Sequence, residues 1–348
     1  MASKIAVKII VMKKSILLFL LFFAFSISSH AGIWRINSNI NIDAQFRTLQ
    51  AANDSAQVIA GDTLYCENGS YLGDASLTKQ LTIIGPGYFL AQYDSTYPNP
   101  ASASVGDITF QSGSDGSRLI GMNVTNVISV SINNLIIERC RIRQLRDENT
   151  TYSNLTVRQC YIENSGISLS SAISAYFQNN IIRGRVDIYN NIQSLEFANN
   201  VVNYDFSNYI FNAENGNVYN NIFINTFSGY RSAINPVALS NTANNSFTTN
   251  VISDTANASF PNNYYNATLD TVFTLQGSQE EQMELKVNSP AIGYGSTGGD
   301  CGVYGGVYPY VKSGFPLGLP RIFEATIPNR VDAASGVNVN IKVKIQDE

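Results

Sequence analysis

From Asn134 to Phe223 one short pattern of apolar and polar positions recurs. "NLIIERCRI" begins at Asn134, "NLTVRQCYI" at Asn154, "SAYFQNNII" at Ser174, "SLEFANNVV" at Ser194 and "NGNVYNNIF" at Asn215. The spacings are 20, 20, 20 and 21 residues. Each unit reads apolar-x-apolar, two polar residues, one special position, x, apolar. Ile137, Val157, Phe177, Phe197 and Val218 share one column, and Ile142, Ile162, Ile182, Val202 and Phe223 share another. Alternation argues for strands, and no helical spacing intervenes. Short strands at a constant period of about twenty indicate a coil of parallel strands. The expected fold is an all-β, right-handed parallel β-helix of about ten coils.

The special column holds Cys140, Cys160, Asn180, Asn200 and Asn221. Asparagine is depleted from strands, so its recurrence needs a cause. Backbone groups turned inward at a corner need partners. An asparagine there can serve the corner and the asparagine one coil above, about 4.8 Å away. These residues are read as a structural ladder rather than as catalysts. Cys140 and Cys160 fill the same column as buried thiols. Their stacking leaves a disulfide open on Cα separation, while parallel Cβ vectors disfavour it. Cys66 and Cys301 lie too far apart along the coil to pair.

A solenoid needs capped ends. Near the start, Asp43 is read as an N-cap, Phe46, Leu49, Ala52 and Ala56 as one helical face, and Gly61 as the stop. Leu64, Cys66, Leu81 and Ile83 then point inward, and Gly85-Pro86-Gly87 turns the chain. At the far end Val337–Ile345 alternates strictly and is expected to pair with Arg321–Ile327 as a C-terminal β-hairpin cap. Lys342 and Lys344 would discourage edge association. The expected boundaries are 1–31 for a leader, 32–60 for the segment with the capping helix, 61–315 for the β-helix and 316–348 for the hairpin.

The leader rests on "MKKSILLFLLFFAFSISSHAG" from Met12, with Lys13 and Lys14, an apolar run and a small-x-small exit at Ser29 and Ala31. This is a secretory signal pattern with cleavage expected after Ala31; the run is short for a membrane span. Met1–Val11 reads as an upstream start or a longer n-region. The expected location is secreted or at the cell surface, with the periplasm open, and the mature chain is not expected to span a membrane. Losing the leader's Lys4, Lys8, Lys13 and Lys14 takes the net charge from −4 to about −8, which argues against a nucleic-acid partner. The only histidine, His30, leaves with the leader. A mature chain without histidine has no Ser-His-Asp triad, Cys-His dyad or His-ligated zinc.

"AGDTLYCENGSYLGDASLTKQLTIIGPGYF", the "NNI" coils, "SPAIGYGSTGGDCGVYGGVYPY" and the "IPNRVDAASGVNVNIKVK" tail together resemble secreted bacterial β-helix proteins of the pectin-lyase-like superfamily. The nearest resemblance is to an uncharacterised Bacteroidetes group. It covers nearly the whole mature chain and is specific for fold rather than function. By that resemblance, "SPAIGYG…GGDCGVYGG" is a last-coil turn in which Asp300 is structural. The resemblance also implies that a lyase would use an Arg or Lys base beside calcium-binding carboxylates, and a hydrolase a cluster of aspartates. Either site would lie on the outer face of the strands.

The outward columns are therefore the place to look. One residue after the ladder come Arg141, Tyr161, Ile181, Val201 and Ile222; three after it come Arg143, Glu163, Arg183, Asn203 and Ile224. The stripe Arg143, Glu163 and Arg183, with Tyr161 and Tyr204, is a candidate saccharide-binding patch. The alternative is a charge ladder in which opposite charges one coil apart offset each other. If the protein is an enzyme, the candidates are Arg183 or Arg185 as base, with Asp187 and Asp205 as the carboxylate pair. Tyr209, Tyr219 and Tyr230 are further groove candidates. No lysine occurs from Ala101 to Asp270, and no Asp-Asp pair or GGxGxD-type calcium repeat occurs. The leading expectation is a non-enzymatic surface binding polysaccharide or cell-envelope glycan, without cofactor or metal. The alternative is a polysaccharide lyase or hydrolase on the central outer face, with calcium entering only for a lyase.

Overall fold

A computed structural model describes residues 31–93, 100–205, 209–226, 233–234, 246–248, 250–253, 262–316, 318, 320–326, 337 and 339–345. Residues 1–30 of the expected leader, and Tyr230, lie outside the described residues.

The chain forms a parallel β-solenoid. One sheet stacks ten strands, from Ile33–Ile36 and Thr63–Cys66 through Ile136–Glu138, Leu155–Arg158, Ser174–Gln178 and Ser194–Ala198 to Ser246–Thr248. The twenty-residue period appears directly in its register: Ile137 pairs with Val157, Val157 with Phe177, Phe177 with Phe197, and Phe197 with Val218. A second sheet of twelve strands includes Arg141–Asp147, Tyr161–Leu169, Ile181–Ile182, Val201–Tyr204 and Ile222–Asn225. Side chains alternate across each strand, so one face of every coil fills a continuous core. Phe177, Phe197, Phe211 and Phe223 are fully buried there, with adjoining ring centroids 4.9–6.1 Å apart.

The ladder runs as one chain of hydrogen bonds. The backbone N–H groups of Cys160, Asn180, Asn200 and Asn221 donate to the side-chain oxygens of Asn180, Asn200, Asn221 and Asn250 at 2.8–3.0 Å. Asn250 donates onward to Asn263. The ladder thus extends two residues beyond the column read from the repeat. Cys140 N–H reaches Cys160 Sγ at 3.4 Å, and all four cysteines are buried thiols.

The residue before each ladder position has its own role. Arg139, Gln159, Asn179, Asn199 and Asn220 all sit at φ of 52–56°. This left-handed conformation costs most L-residues about 1–2 kcal/mol and suits asparagine. In the "NN" pairs the first asparagine makes the corner and the second joins the ladder.

The expected N-terminal segment is corrected first. The N-terminal helix is short, Leu49–Asp54, and its N-cap is Thr48, whose hydroxyl accepts from Ala51 N. Asp43 instead offers its carbonyl to Arg35, and Phe46 bridges to Ile36. The helix also follows a first rung, because Ile33–Ile36 already pairs with Thr63–Cys66. The hairpin Pro320–Thr326 with Asn340–Ile345 forms, but as a separate two-stranded sheet. Ile322, Ile341, Val343 and Ile345 stay exposed.

The segment containing "SPAIGYGSTGGDCGVYGG" is not a last-coil turn. Residues 267–316 return along the outside of the solenoid as a strap. Ser296 and Gly302 bind at Asn220, Asp300 and Gly302 at Asn199, Val303 and Gly305 at Asn179, and Pro309 at Gln159. The left-handed corner residues therefore hold the strap coil by coil. Beneath it lies a second core in which Ile181, Val201 and Ile222 meet Val272, Phe273, Met283, Cys301 and Val303. That column, read as an open outer surface, is covered.

The strap's far end is locked by Glu280. Its carboxylate accepts from Tyr310 at 2.6 Å, Tyr93 at 2.5 Å and Ser313 N at 3.0–3.1 Å. Tyr310 also meets Tyr88 at 2.5 Å. Desolvation is the largest influence on this fully buried carboxyl and raises its pKa despite the donors around it.

Candidate functional site

The site arises where the second sheet loses register. Ile142 pairs with Ile162 and Gln144 with Gly166, so Arg143 alone faces the three residues Glu163, Asn164 and Ser165. Gly166 takes φ 66° at the bend. A side chain on Gly184, one coil on, would meet the Gly166 backbone at 2.5 Å. The extra residues bulge outward, and Arg183 stands beside them in the next coil. The strap supplies the other wall through Gln279 and Gln282. Together Arg143, Tyr161, Glu163, Asn164, Ser165, Arg183, Gln279 and Gln282 line a cavity of about 510 Å³.

The groove is polar and locally cationic. Arg141 donates to one oxygen of Glu163 through Nε at 2.9 Å and through a terminal nitrogen at 2.5 Å. It also lies over the Phe89 ring at 4.8 Å. Neither Arg143 nor Arg183 forms an ion pair among the described residues. Arg143 is exposed and Arg183 half-buried. Two guanidinium groups thus face the cavity with their donors uncommitted to a carboxylate. Tyr161, 5% exposed, donates to the side-chain amide oxygen Oε1 of Gln279 at 3.2 Å and packs edge-on against Phe89. Burial raises its hydroxyl pKa, while Arg183 pulls it the other way. Outside the groove, Lys312 engages both Glu281 and Glu284.

The structure thus brings together Arg143, Tyr161, Glu163 and Arg183 and leaves the other candidates apart. Arg185 pairs with Asp187 at 2.7 Å, donates to Tyr209 at 2.6 Å and lies over its ring at 4.3 Å. Asp187 sits on Val186–Ile188, paired with Ile167–Leu169. Asp205 is exposed and does not line the groove. Tyr204 packs on the main core, and Tyr219 donates to Glu196. Gln279 and Gln282 were missed in sequence, and no repeat signal marks them.

Chemically the groove can bind and orient an anion with hydroxyls around it. Glu163 is the one carboxylate among its lining residues, whereas two-carboxylate hydrolysis needs a pair. Among the described residues no three His, Cys, Asp or Glu side chains converge as a metal site. No helix among the described residues is long and apolar enough to cross a membrane. Comparison with family models, with curated proteins and with solved structures found no match.

Proposed function

We propose that this chain is an exported, non-enzymatic β-helix protein that binds an acidic glycan in the groove between the central coils and the strap. One observation carries the reading: Arg143 and Arg183 flank one cavity without an ion pair among the described residues, while Gln279, Gln282, Asn164 and Ser165 supply hydroxyl-binding groups around them. Guanidinium forks suit carboxylate and sulfate geometry. The pectin-lyase-like resemblance, and its Bacteroidetes group, agree with export and with a polysaccharide or cell-envelope partner. Catalysis is disfavoured because Glu163 lacks a second carboxylate in the groove.

The test is a panel of acidic and neutral polysaccharides presented to purified residues 32–348, with and without calcium. Retention of acidic polymers without new reducing ends is the expected result. New reducing ends overturn the non-enzymatic reading. Failure to retain any acidic polymer overturns the binding reading.

A further inference from the structure

Asp62 is a buried carboxylate, 1% exposed, in the first coil. One oxygen accepts from Gly32 N at 2.6 Å; the other accepts from Trp34 Nε1 at 2.7 Å and Ile59 N at 2.9 Å. The Gly32 carbonyl accepts from Thr63 N at 2.8 Å, which makes the first rung. Among the described residues Gly32 is thus the first in the chain to carry these hydrogen bonds, and its N–H rests on a carboxylate. Gly32 is also the residue that follows the small-x-small exit of the leader, and Ala31 before it is exposed. A Cβ on Gly32 would lie 3.0 Å from Trp34 Nε1 and 3.4 Å from Asp62 Oδ1, so the position is tight around its nitrogen.

We infer that Asp62 is a receptor for the amino terminus created by leader removal, and that maturation converts the Gly32–Asp62 hydrogen bond into an ammonium–carboxylate pair. The inference rests on reading residues 12–31 as an export leader. A signal-peptidase-type protease and water hydrolyse the Ala31–Gly32 amide. The carbonyl carbon of Ala31 takes the water oxygen and departs as a carboxylate. Gly32 keeps the nitrogen, which is protonated from water to an ammonium. That group already lies at bonding distance from Asp62 Oδ1. A charged donor to a charged acceptor is about twice as strong as a neutral pair. Asp62 further faces Lys79, whose ammonium is held by the carbonyls of Ser55 and Val58. On the first strand Arg35 is engaged by Glu67 and by the Asp43 carbonyl. Among the described residues neither cation forms an ion pair with Asp62, so the new ammonium would be its first.

The pH dependence follows. An α-amino group titrates near 8 when free, and a buried carboxylate partner raises that value. The added stability is fully present below pH about 8 and is lost as pH rises through the higher folded value.

The experiment uses the full chain exported with its own leader from a Gram-negative host. Intact mass should place the amino terminus at Gly32. That protein is then compared with one carrying a Ser-Ala extension before Gly32, and both are repeated in Asp62→Asn. The free terminus should melt about 2–4 °C higher at pH 7, the gap should close above pH about 10, and Asp62→Asn should abolish it. Should Asp62→Asn fail to fold, the α-amino pKa of the unsubstituted protein, read by NMR after ¹³C-methylation, should lie at least about one unit above 8. A terminus elsewhere, equal melting of free and extended forms, or an unshifted α-amino group overturns the inference.

Discussion

Two clusters on this solenoid contain three arginines and one glutamate, and they are built to opposite ends. On the ten-stranded sheet Glu138, 3% exposed, accepts from Arg118 at 2.9 Å and Arg158 at 2.8 Å, with Arg139 at 4.0 Å. Arg139 also donates to Gln159, and Arg158 lies against Tyr308 of the strap. Every guanidinium there has a partner. In the groove, Arg141 alone engages Glu163, and Arg143 and Arg183 are left facing the cavity. Composition and stoichiometry match, so the number of charges does not separate a structural cluster from a binding one. Burial and the direction of the donors do.

The largest expected effect breaks the closed cluster. Glu138→Gln should cost about 3–5 kcal/mol in urea denaturation at pH 7, because it leaves several cations around a neutral group. Desolvation pushes the Glu138 carboxyl upward, but Arg158 and Arg118 outweigh it and hold it below its ordinary value. A depressed folded pKa gives stability present above the unfolded value of about 4.3 and lost as pH falls through the folded one. The difference between Glu138→Gln and the unsubstituted protein should therefore shrink below pH about 4.

The ladder sharpens the contrast from inside. Asn200 accepts from Asn180 and donates to Phe177 O, Ala198 O and Asn221. Asn200→Ala orphans these buried groups and should cost about 2–4 kcal/mol, while Asn200→Cys, repeating the chemistry of Cys160, should cost less by the same denaturation assay.

Glu280 tests the strap that walls the groove. Its folded pKa is raised, so between the unfolded value and the folded one the native state holds more protons. Stability contributed there rises as pH falls. The melting temperature of the unsubstituted protein relative to Glu280→Gln should increase from pH 7 to pH 5. The smallest effect belongs to the open cluster: Glu163→Gln should change stability by less than about 1 kcal/mol. It should strengthen binding of an acidic oligosaccharide by about 2–5-fold, since one repelling charge is gone and Arg141 is released.

The coil was legible because its signal is periodic: Val157, Phe177 and Phe197 repeat one environment at one spacing, and a column of identical environments can be read without coordinates. The Arg143–Glu163–Arg183 stripe was legible for the same reason. The strap was not. Residues 267–316 carry no repeat, and they dock through backbone carbonyls on Gln159, Asn179 and Asn199, whose residue type alone does not reveal a partner more than a hundred residues away. That also hid Gln279, Gln282 and the covering of Ile181 and Val201. Thr48 in place of Asp43 is a local miss of another kind: both residue types cap helices, and Arg35 and Phe46 decided between them by tying the earlier segment to the first rung.

The most direct test of an anion-binding groove is calorimetric titration of an acidic oligosaccharide into the unsubstituted protein and the Arg143→Ala/Arg183→Ala double variant, with urea midpoints measured on both. Loss of charge-assisted hydrogen bonds should weaken affinity by about 10–100-fold while folding stability stays within about 1 kcal/mol. Unchanged affinity in a folded double variant would contradict the account.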